Sequence, residues 1–327
     1  MSFKTPKLWV TAKAVDGSTV TLGTPETLSF DSSLLLPYEE MELLVPFQDK
    51  KLLTCMVYAD DSLFFEGAVE HQKAEGDGDK LLRLSCKSKP GYQMSDNQVV
   101  PYAYFRVTAD DIFNRYAAPY GIRGVDLDGL DAGTTMGIML ISEKQSCWDC
   151  VVQYFVQAYD RVPFVSHDGY IVLTPFTGKT ITLSNHSQNG VRFLSAAPSF
   201  RNQMVSRVHF YTGEDDFGGL YDESYENETA KYYQCVRELY LNPERSWAAN
   251  HSRYAKYLFY ESMVDASART VSVPGWLSVF PGDLVVLEMD ESGLQQLYAG
   301  QVSITVTRQE ITSVLTLWDK TFSGGFF

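Results

Sequence analysis

Both ends of the chain are built from strand-length runs in which apolar and polar residues alternate, punctuated by Asp-Gly and Pro-Gly pairs. A period of two suits a pleated strand with one buried face and does not suit a helix, so both ends are constrained to β-structure. WVTAKAVDGSTVTLG reads as a hairpin with Asp16-Gly17 at its turn, the pair that tolerates the positive φ of tight turns. A second hairpin runs from Leu63 to His71 and back from Leu81 to Cys86 around AEGDGD. On its return strand Leu82, Leu84 and Cys86 alternate with Arg83 and Ser85. EMELLVPF and KLLTCMVYA add two more strands, enough apolar faces for a small barrel or sandwich. Pro90-Gly91 and the following SDNQ close this unit.

The period changes after Pro101. Thr108 and Asp111 have capping-box spacing, and Ile112, Phe113, Tyr116, Ala117 and Tyr120 then recur at helical intervals until Gly121. A second helix starts after Ser146, with Asp149 in its first turn, and ends near Tyr159. VPFVS and YIVLTPF form a hairpin about His167-Asp168-Gly169, so residues 99–175 read as a compact α+β unit. Strands resume in KTITLS, VRFLSAAPSF and QMVSRVHFYTG. The stretch EDDFGGLYDESYENETAKYY then breaks the pattern, being acidic, tyrosine-rich and poor in aliphatics, and helical spacing returns from Ser246 to Ser262. The chain closes in β-structure with RTVSVPG, GDLVVLEM and QLYAGQVSITVTRQEITSVLTLW, with turns at Pro274-Gly275, Pro281-Gly282 and Glu291-Ser292-Gly293. The fold class that follows is α+β and mostly β: a first β domain, a middle α+β domain, and a second β domain with an insertion.

Composition narrows the functions available. With 327 residues, 45% of them hydrophobic, the chain can bury substantial cores, and its length favours more than one domain. A formal charge of -14, from 41 acidic and 27 basic side chains, disfavours an extended phosphate-binding surface and so specific nucleic-acid binding. No apolar run is long enough to span a bilayer, and MSFKTPKLWV lacks the apolar core of a signal peptide, which predicts synthesis in the cytoplasm without export. Five cysteines in this length do not make a disulfide framework. Without a secretory route the sequons at Asn185, Asn227 and Asn250 carry no weight.

Candidate chemistry is sparse. QSCWDCVVQYF holds a Cys-x-x-Cys at the start of the second helix, where a thiol pKa is lowered. At 100° per residue Trp148, Val151, Val152, Phe155 and Tyr159 form one apolar stripe, Cys150 projects opposite it and Cys147 lies at its margin. This predicts that Trp148 and Phe155 dock the helix, and that Cys150 is exposed or packed on another domain. A thioredoxin-like site needs a βαβ context that is missing, and a structural zinc site needs a second ligand pair that is missing. Cys55 alternates in phase with Leu53 and Val57, and Cys86 with Leu84, as small buried hydrophobes do. DLDGLDAG departs from a calcium loop at the third ligand position and at Gly137, and reads as an Asp/Gly turn. Glu214, Asp215, Asp216, Asp222, Glu223 and Glu226 read as a solvated acidic run rather than a cation site. No hydrolase, metalloprotease or nucleotide-binding motif occurs, and the five histidines are scattered, so neither a catalytic residue nor a cofactor or metal ligand is assigned.

Read in order, three stretches resemble the baseplate hub proteins of contractile phage tails, the late control protein D and Mu-like hub family, whose fold is shared with the base of type VI secretion spikes. The first is DSLFFEGAVE from Asp61 to Glu70, followed by a hairpin, a Pro-Gly segment and TADDIFNRYAAPYGI. The second is SCWDCVVQYFVQAYDRVPFVSHDGYIVLTP, a helix followed by a strand, a D-G turn and a strand. The third is VSVPGWLSVFPGDLVVLEM with QVSITVTRQEITSVLTLW, which resembles the family's closing barrel and singles out Pro274, Gly275, Trp276, Pro281 and Gly282 as structural residues.

The resemblance implies two small antiparallel β-barrels, with boundaries at 1–98 for the first, 99–175 for the middle domain, 176–213 with 266–320 for the second barrel, and 214–265 for an inserted subdomain. It also implies a homotrimeric ring that adapts a sixfold tail tube to a threefold spike, with the tube protein, the spike protein and other baseplate proteins as partners. Location would be the baseplate of a virion or tail-like particle assembled in the bacterial cytoplasm, without stable membrane insertion. A negative lumen would let DNA or tape protein pass without adhering. The chain ends soon after Trp318, so spike and lysozyme domains are expected on separate proteins. The competing reading is a cell-wall glycan-binding or glycan-degrading tail protein, for which 20 Tyr and 5 Trp could supply a sugar platform.

Overall fold

The computed structural model describes residues 5–76, 80–174, 179–186, 188, 190–216, 218–289 and 293–323. Along the chain run β1 (Leu8–Ala14), β2 (Thr19–Gly23), β3 (Thr27–Ser33), β4 (Glu40–Pro46), β5 (Leu52–Ala59), β6 (Ser62–Glu75), β7 (Leu81–Ser88) and helix α1 (Lys89–Asp96). Next come β8 (Ala103–Val107), α2 (Ala109–Tyr116), β9 (Gly124–Asp126), β10 (Met136–Leu140), α3 (Cys147–Tyr159), β11 (Phe164–Val165) and β12 (Tyr170–Val172). They are followed by β13 (Thr180–Ser184), β14 (Ser195–Phe200), β15 (Val205–Phe210), β16 (Gly213–Asp215), β17 (Gly218–Leu220), β18 (Glu223–Glu226), α4 (Glu228–Tyr232), β19 (Arg237–Leu241) and α5 (His251–Met263). The chain closes with β20 (Ser267–Pro274), β21 (Leu284–Met289), β22 (Gly293–Val306) and β23 (Ile311–Trp318). The fold is mostly β with some helices, as the alternation requires.

Two compact units result. The first comprises Met1–Gln93, Gly178–Ala197 and Thr270–Leu317, and the second Met94–Thr177, Pro198–Arg269 and Trp318–Phe327. In the first, the two β regions are continuous through β3 and β22, which pair antiparallel from Leu28 opposite Val306 to Ser33 opposite Gln301. A 13-stranded sheet follows, in the order β14-β20-β23-β22-β3-β4-β7-β6-β5-β1-β2, with β13 and β21 off this path. No pairing closes either region into a barrel among the described residues. The interior is equally continuous: Phe30, Leu84, Ile304 and Leu315, one from each of β3, β7, β22 and β23, are fully buried in one apolar cluster.

Local turn chemistry matches expectation at several points. Gly17 has φ +80 in the β1–β2 turn, and Leu82, Leu84 and Cys86 alternate inward on β7. Of the turn residues expected between β6 and β7 and between β21 and β22, 77–79 and 290–292 lie outside the described residues. Cys55 and Val57 are buried, but Leu53 is 53% exposed. The cause is a register shift: Lys13 faces Thr54 while Ala14 faces Leu52, leaving Leu53 as the extra residue of a bulge and sending Leu52 inward instead.

Pro90-Gly91 does not form a turn but the first turn of α1, where proline's missing N–H costs nothing. Gly91 is there for contact, not for φ: a Cβ on it would lie 1.6 Å from the Pro37 carbonyl oxygen.

Among the described residues the second unit has four small sheets, β10-β8, β11-β12-β9, β18-β15-β19 and β16-β17. α2 begins with the expected box, in which the Thr108 hydroxyl accepts from the Asp111 N–H and the Asp111 carboxylate accepts from the Thr108 N–H. α3 begins with the same arrangement between Ser146 and Asp149. Both helices pack into a cluster with Met139 and Ile141. The β11–β12 hairpin turns through Gly169 at φ +79. Val205–Phe210, which the sequence groups with the closing β region, pairs instead with β18 and β19, and packs Val208 and Phe210 on Ala255 and Phe259 of α5. That helix starts at His251, five residues later than its spacing predicts, because the Asn250 side chain caps it by accepting the Arg253 N–H.

The prediction for Cys150 is overturned. Cys150 is 0% exposed and lies in the same cluster as Cys147, Val151, Tyr154 and Phe155. Val151, Val152 and Phe155 of the stripe are buried, but α3 is buried almost all round, with Tyr154 and Cys150 also in the core and Trp148 half-buried at its edge. The remaining side is covered by polar contacts: the Gln153 and Gln157 amides donate to the Ser246 carbonyl at 2.7 and 2.9 Å. Asp160, in the left-handed region at the end of α3, pairs with Arg253 at 2.8 Å and Lys256 at 2.6 Å of α5.

Candidate functional site

The residues singled out in the closing β region form a braced corner of the first unit. Pro274 ends β20, and Gly275, at φ +89, donates its N–H to the Ile311 carbonyl at 2.7 Å. The buried Ser313 hydroxyl donates to the Gly275 carbonyl at 2.9 Å and accepts the Leu277 N–H at 3.0 Å. Pro281 and Gly282 occupy the middle of a turn closed by the Asp283 N–H on the Phe280 carbonyl at 3.1 Å. Gly282 has the positive φ of +95 that such a Pro-Gly turn demands. The Asp283 carboxylate accepts the N–H groups of Phe280 and Lys179, while burial raises its pKa above the ordinary carboxylate range.

Trp276 connects this corner to the first β region. Its ring meets Phe64 edge to face at 4.7 Å, and Phe64 in turn meets Phe30 at 4.9 Å and Phe280 at 6.3 Å. Sequence reasoning found Trp276 but missed Phe30, Phe64 and Phe280, because nothing local to FFEG or SVFPG signals a contact more than 200 positions away. Trp148 and Phe155 lie in the second unit, where Phe155 is a core residue and Trp148 a flanking one.

Four of the five thiols are buried. Burial pushes Cys147 above the usual thiol range, and burial with the neighbouring Cys147 and Asp149 pushes Cys150 further, so the helix N-terminus loses to desolvation. The Tyr120 hydroxyl lies 3.4 Å from the Cys147 sulfur, a contact that with burial pushes Tyr120 up to about 12. Cys55 and Cys86 are buried in the first unit.

The acidic run divides in two. Glu223 meets the His251 Nδ1 and the Tyr225 hydroxyl, each at 2.6 Å, and Glu226 pairs with Arg207 and Lys231. Glu214, Asp215, Asp216 and Asp222 are exposed on and beside the β16–β17 hairpin. In DLDGLDAG the Asp126 and Asp131 carboxylates accept the N–H groups of Asp128 and Gly133, the geometry of Asp-initiated turns. Among the described residues no group of three or more His, Cys, Asp or Glu side chains could hold a metal, and no helix is long and apolar enough to cross a membrane.

Clefts lined by described residues open on the surface of both units. A groove of about 800 Å³ in the first unit is lined by Lys7, Glu26, Gly275, Arg308 and their neighbours, and is spanned by the Glu26–Arg308 ion pair. In the second unit a cleft of about 340 Å³ holds Glu143, Asp149, Glu244 and Glu261 around Trp247, Tyr254 and Tyr257. Those rings stack on one another, Trp247 lying 4.8 Å from Tyr254 and 5.7 Å from Tyr257. A third cleft, of about 480 Å³, lies between β8 and α2. In the second of these clefts the Tyr257 hydroxyl is hydrogen-bonded to the Glu261 carboxyl, which burial raises above the ordinary carboxylate range.

No protein-family model matches this chain, and no curated protein does. Solved structures do. The tail protein from Neisseria meningitidis MC58 superposes with a TM-score of 0.70 at 16% identity over 99% of each chain. The 43 kDa tail protein of prophage MuSo2 from Shewanella oneidensis gives 0.68 at 15% identity, covering 94% of this chain and 98% of that one. The E. coli c3393 protein, a component of the type VI secretion system, gives 0.50 at 8% identity, covering 90% of this chain and 73% of that one. Over nearly its whole length the chain therefore has the fold of phage tail proteins and of type VI secretion base proteins, as the resemblance of its three stretches implies.

Proposed function

We propose that the chain is a structural protein of a phage tail or tail-like particle, acting as its baseplate hub. Three copies form a ring that adapts the sixfold tail tube to the threefold spike, with the tube protein, the spike protein and other baseplate proteins as neighbours. The observation that carries this reading is the continuity of two β regions through β3 and β22 in each copy. One copy thereby offers two β modules, and three copies offer six.

Each region acts as a barrel-like module in this reading. In the first, β2 comes back beside β4, although the hydrogen-bonded order runs the long way round through β7, β6, β5 and β1. Bulges in the β1–β2, β1–β5, β5–β6 and β6–β7 pairings supply the extra twist such a curl requires. The module boundaries are those implied by the resemblance, except that Val205–Phe210 goes with the 214–265 insertion, whose β18 and β19 it pairs with. Pro274, Gly275, Trp276, Pro281 and Gly282 hold the closing module's corner, Trp148 and Phe155 hold the middle domain, and no residue has a catalytic role. The acidic surface keeps a passing polyanion in transit.

Gold-labelled antibody against this chain, applied to tail-like particles from producing cells, tests the assignment. Label confined to the baseplate end supports it. Label along the tail shaft, or none on intact and disassembled particles, contradicts it.

A further inference from the structure

The third cleft departs from the character of the rest of the chain. β8 and β10 form an isolated two-stranded ribbon in which Phe105 and Ile138 are cross-strand partners, 71% and 48% exposed. Arg106 has φ +55, a region that long side chains seldom occupy, and with the pleat broken there Phe105 and Arg106 both face solvent in succession. Among the described residues no carboxylate pairs with Arg106. Beside it the Arg115 guanidinium donates to the Tyr104 hydroxyl and lies 4.7 Å from that ring's centroid. The cleft's one acidic lining residue, Asp111, accepts the Thr108 N–H and hydroxyl at 2.9 and 2.8 Å and offsets part of the Arg115 charge, so the two arginines leave the lining net positive. The result is a cationic face with an apolar flank on a chain whose net charge is -14.

The complementary element is in the same unit. The β16–β17 hairpin carries exposed Glu214, Asp215 and Asp216, with no basic residue from Gly213 to Glu223. Its base is stiffened by Tyr211 and Tyr221, whose rings lie 5.7 Å apart and close over Gly219, and Tyr221 is braced by Tyr240. The hairpin thus presents three adjacent exposed carboxylates on a braced base.

We propose that the Arg106–Arg115 face, flanked by Phe105 and Ile138, is a self-association surface whose occupant is the acidic β16–β17 hairpin of a second copy of this chain. This rests on the ring reading above and deepens it. Like-charged copies repel unless each offers a place where the sign reverses, and this face is such a place. Because face and hairpin are different patches, the contact is head to tail, the type that propagates around a ring rather than stopping at a twofold dimer.

The test is sedimentation velocity on the purified full chain at low and high salt, with Arg106→Glu, with Asp215→Arg/Asp216→Arg, and with all three changes in one chain. Arg106 is exposed and unpaired, so its reversal leaves the fold intact, as far-UV circular dichroism checks. Either reversal alone weakens self-association at least about tenfold, the combined variant restores it, and wild-type association weakens with salt. Oligomers indifferent to both reversals, or a loss that the combined variant does not restore, overturn this contact and leave the ring reading standing. A wild-type chain that is monomeric at every concentration overturns both.

Discussion

Trp276 and Phe64 meet edge to face, with ring centroids 4.7 Å apart and planes inclined by 68°. The pair ties the loop after β20 to β6, and so the chain's last β region to its first. Trp276→Ala should lower stability by about 2–4 kcal/mol, somewhat below a fully buried tryptophan, because Trp276 is only partly buried. Combined with Phe64→Ala, a double-mutant cycle in urea should return a coupling of about 0.5–1.5 kcal/mol. Additive effects would show that the rings touch without stabilising one another.

Gly91→Ala reverses the usual sign of a helix substitution. In an exposed helix interior alanine gains about 1 kcal/mol over glycine, but here the new Cβ overlaps the Pro37 carbonyl. A loss of roughly 3 kcal/mol or more is expected from displacing α1 or the Pro37 segment. An unchanged or raised midpoint in chemical denaturation would mean that this close approach is relieved at no cost.

Thiol reactivity separates structure from redox chemistry. Cys147 and Cys150 are buried and shifted above the ordinary thiol range, whereas Cys235 is half-exposed. Native protein treated with a thiol reagent at mildly alkaline pH should label first at Cys235, with Cys147 and Cys150 reacting only on unfolding. Fast labelling of Cys147, or stoichiometric zinc by metal analysis, would restore a chemical role to the pair.

Acid should loosen α2 through its cap. The Thr108 N–H, then its hydroxyl, hold the Asp111 carboxyl below the usual range. A depressed carboxyl contributes stability above its unfolded pKa of about 3.9, and that contribution is lost as pH falls through the lower folded value. Thr108→Ala should cost about 1 kcal/mol near neutral pH, with the gap to wild type narrowing below about pH 4 as the hydroxyl-to-carboxylate bond is lost while the cap on the Asp111 N–H persists. A gap that stays constant down to the acid limb would dissociate the cap from Asp111 ionisation.

What could be read from the sequence is what local physics decides. The capping boxes at Thr108 and Ser146, the positive-φ glycines at 17, 121, 169, 275 and 282, and the inward alternation of Leu82, Leu84 and Cys86 each depend on neighbours a few positions away. Long-range pairing was not legible. Nothing in TLSFDSS or QVSITV announces that β3 and β22 lie side by side, and nothing in the KLLT stretch announces that Leu53 is a bulge residue. Cys150 was misplaced for a related reason: a hydrophobic stripe predicts one buried face, and α3 is buried on nearly all of them. The Pro-Gly pair at 90–91 reads as a turn from its residue types, and only the Pro37 contact explains its place in a helix.

Assembly of three copies into a ring would show first in the solution mass of the purified chain. Size-exclusion chromatography with multi-angle light scattering should give three times the chain mass of 36.8 kDa, with threefold rings in negative stain. A chain that stays monomeric at every concentration would contradict it.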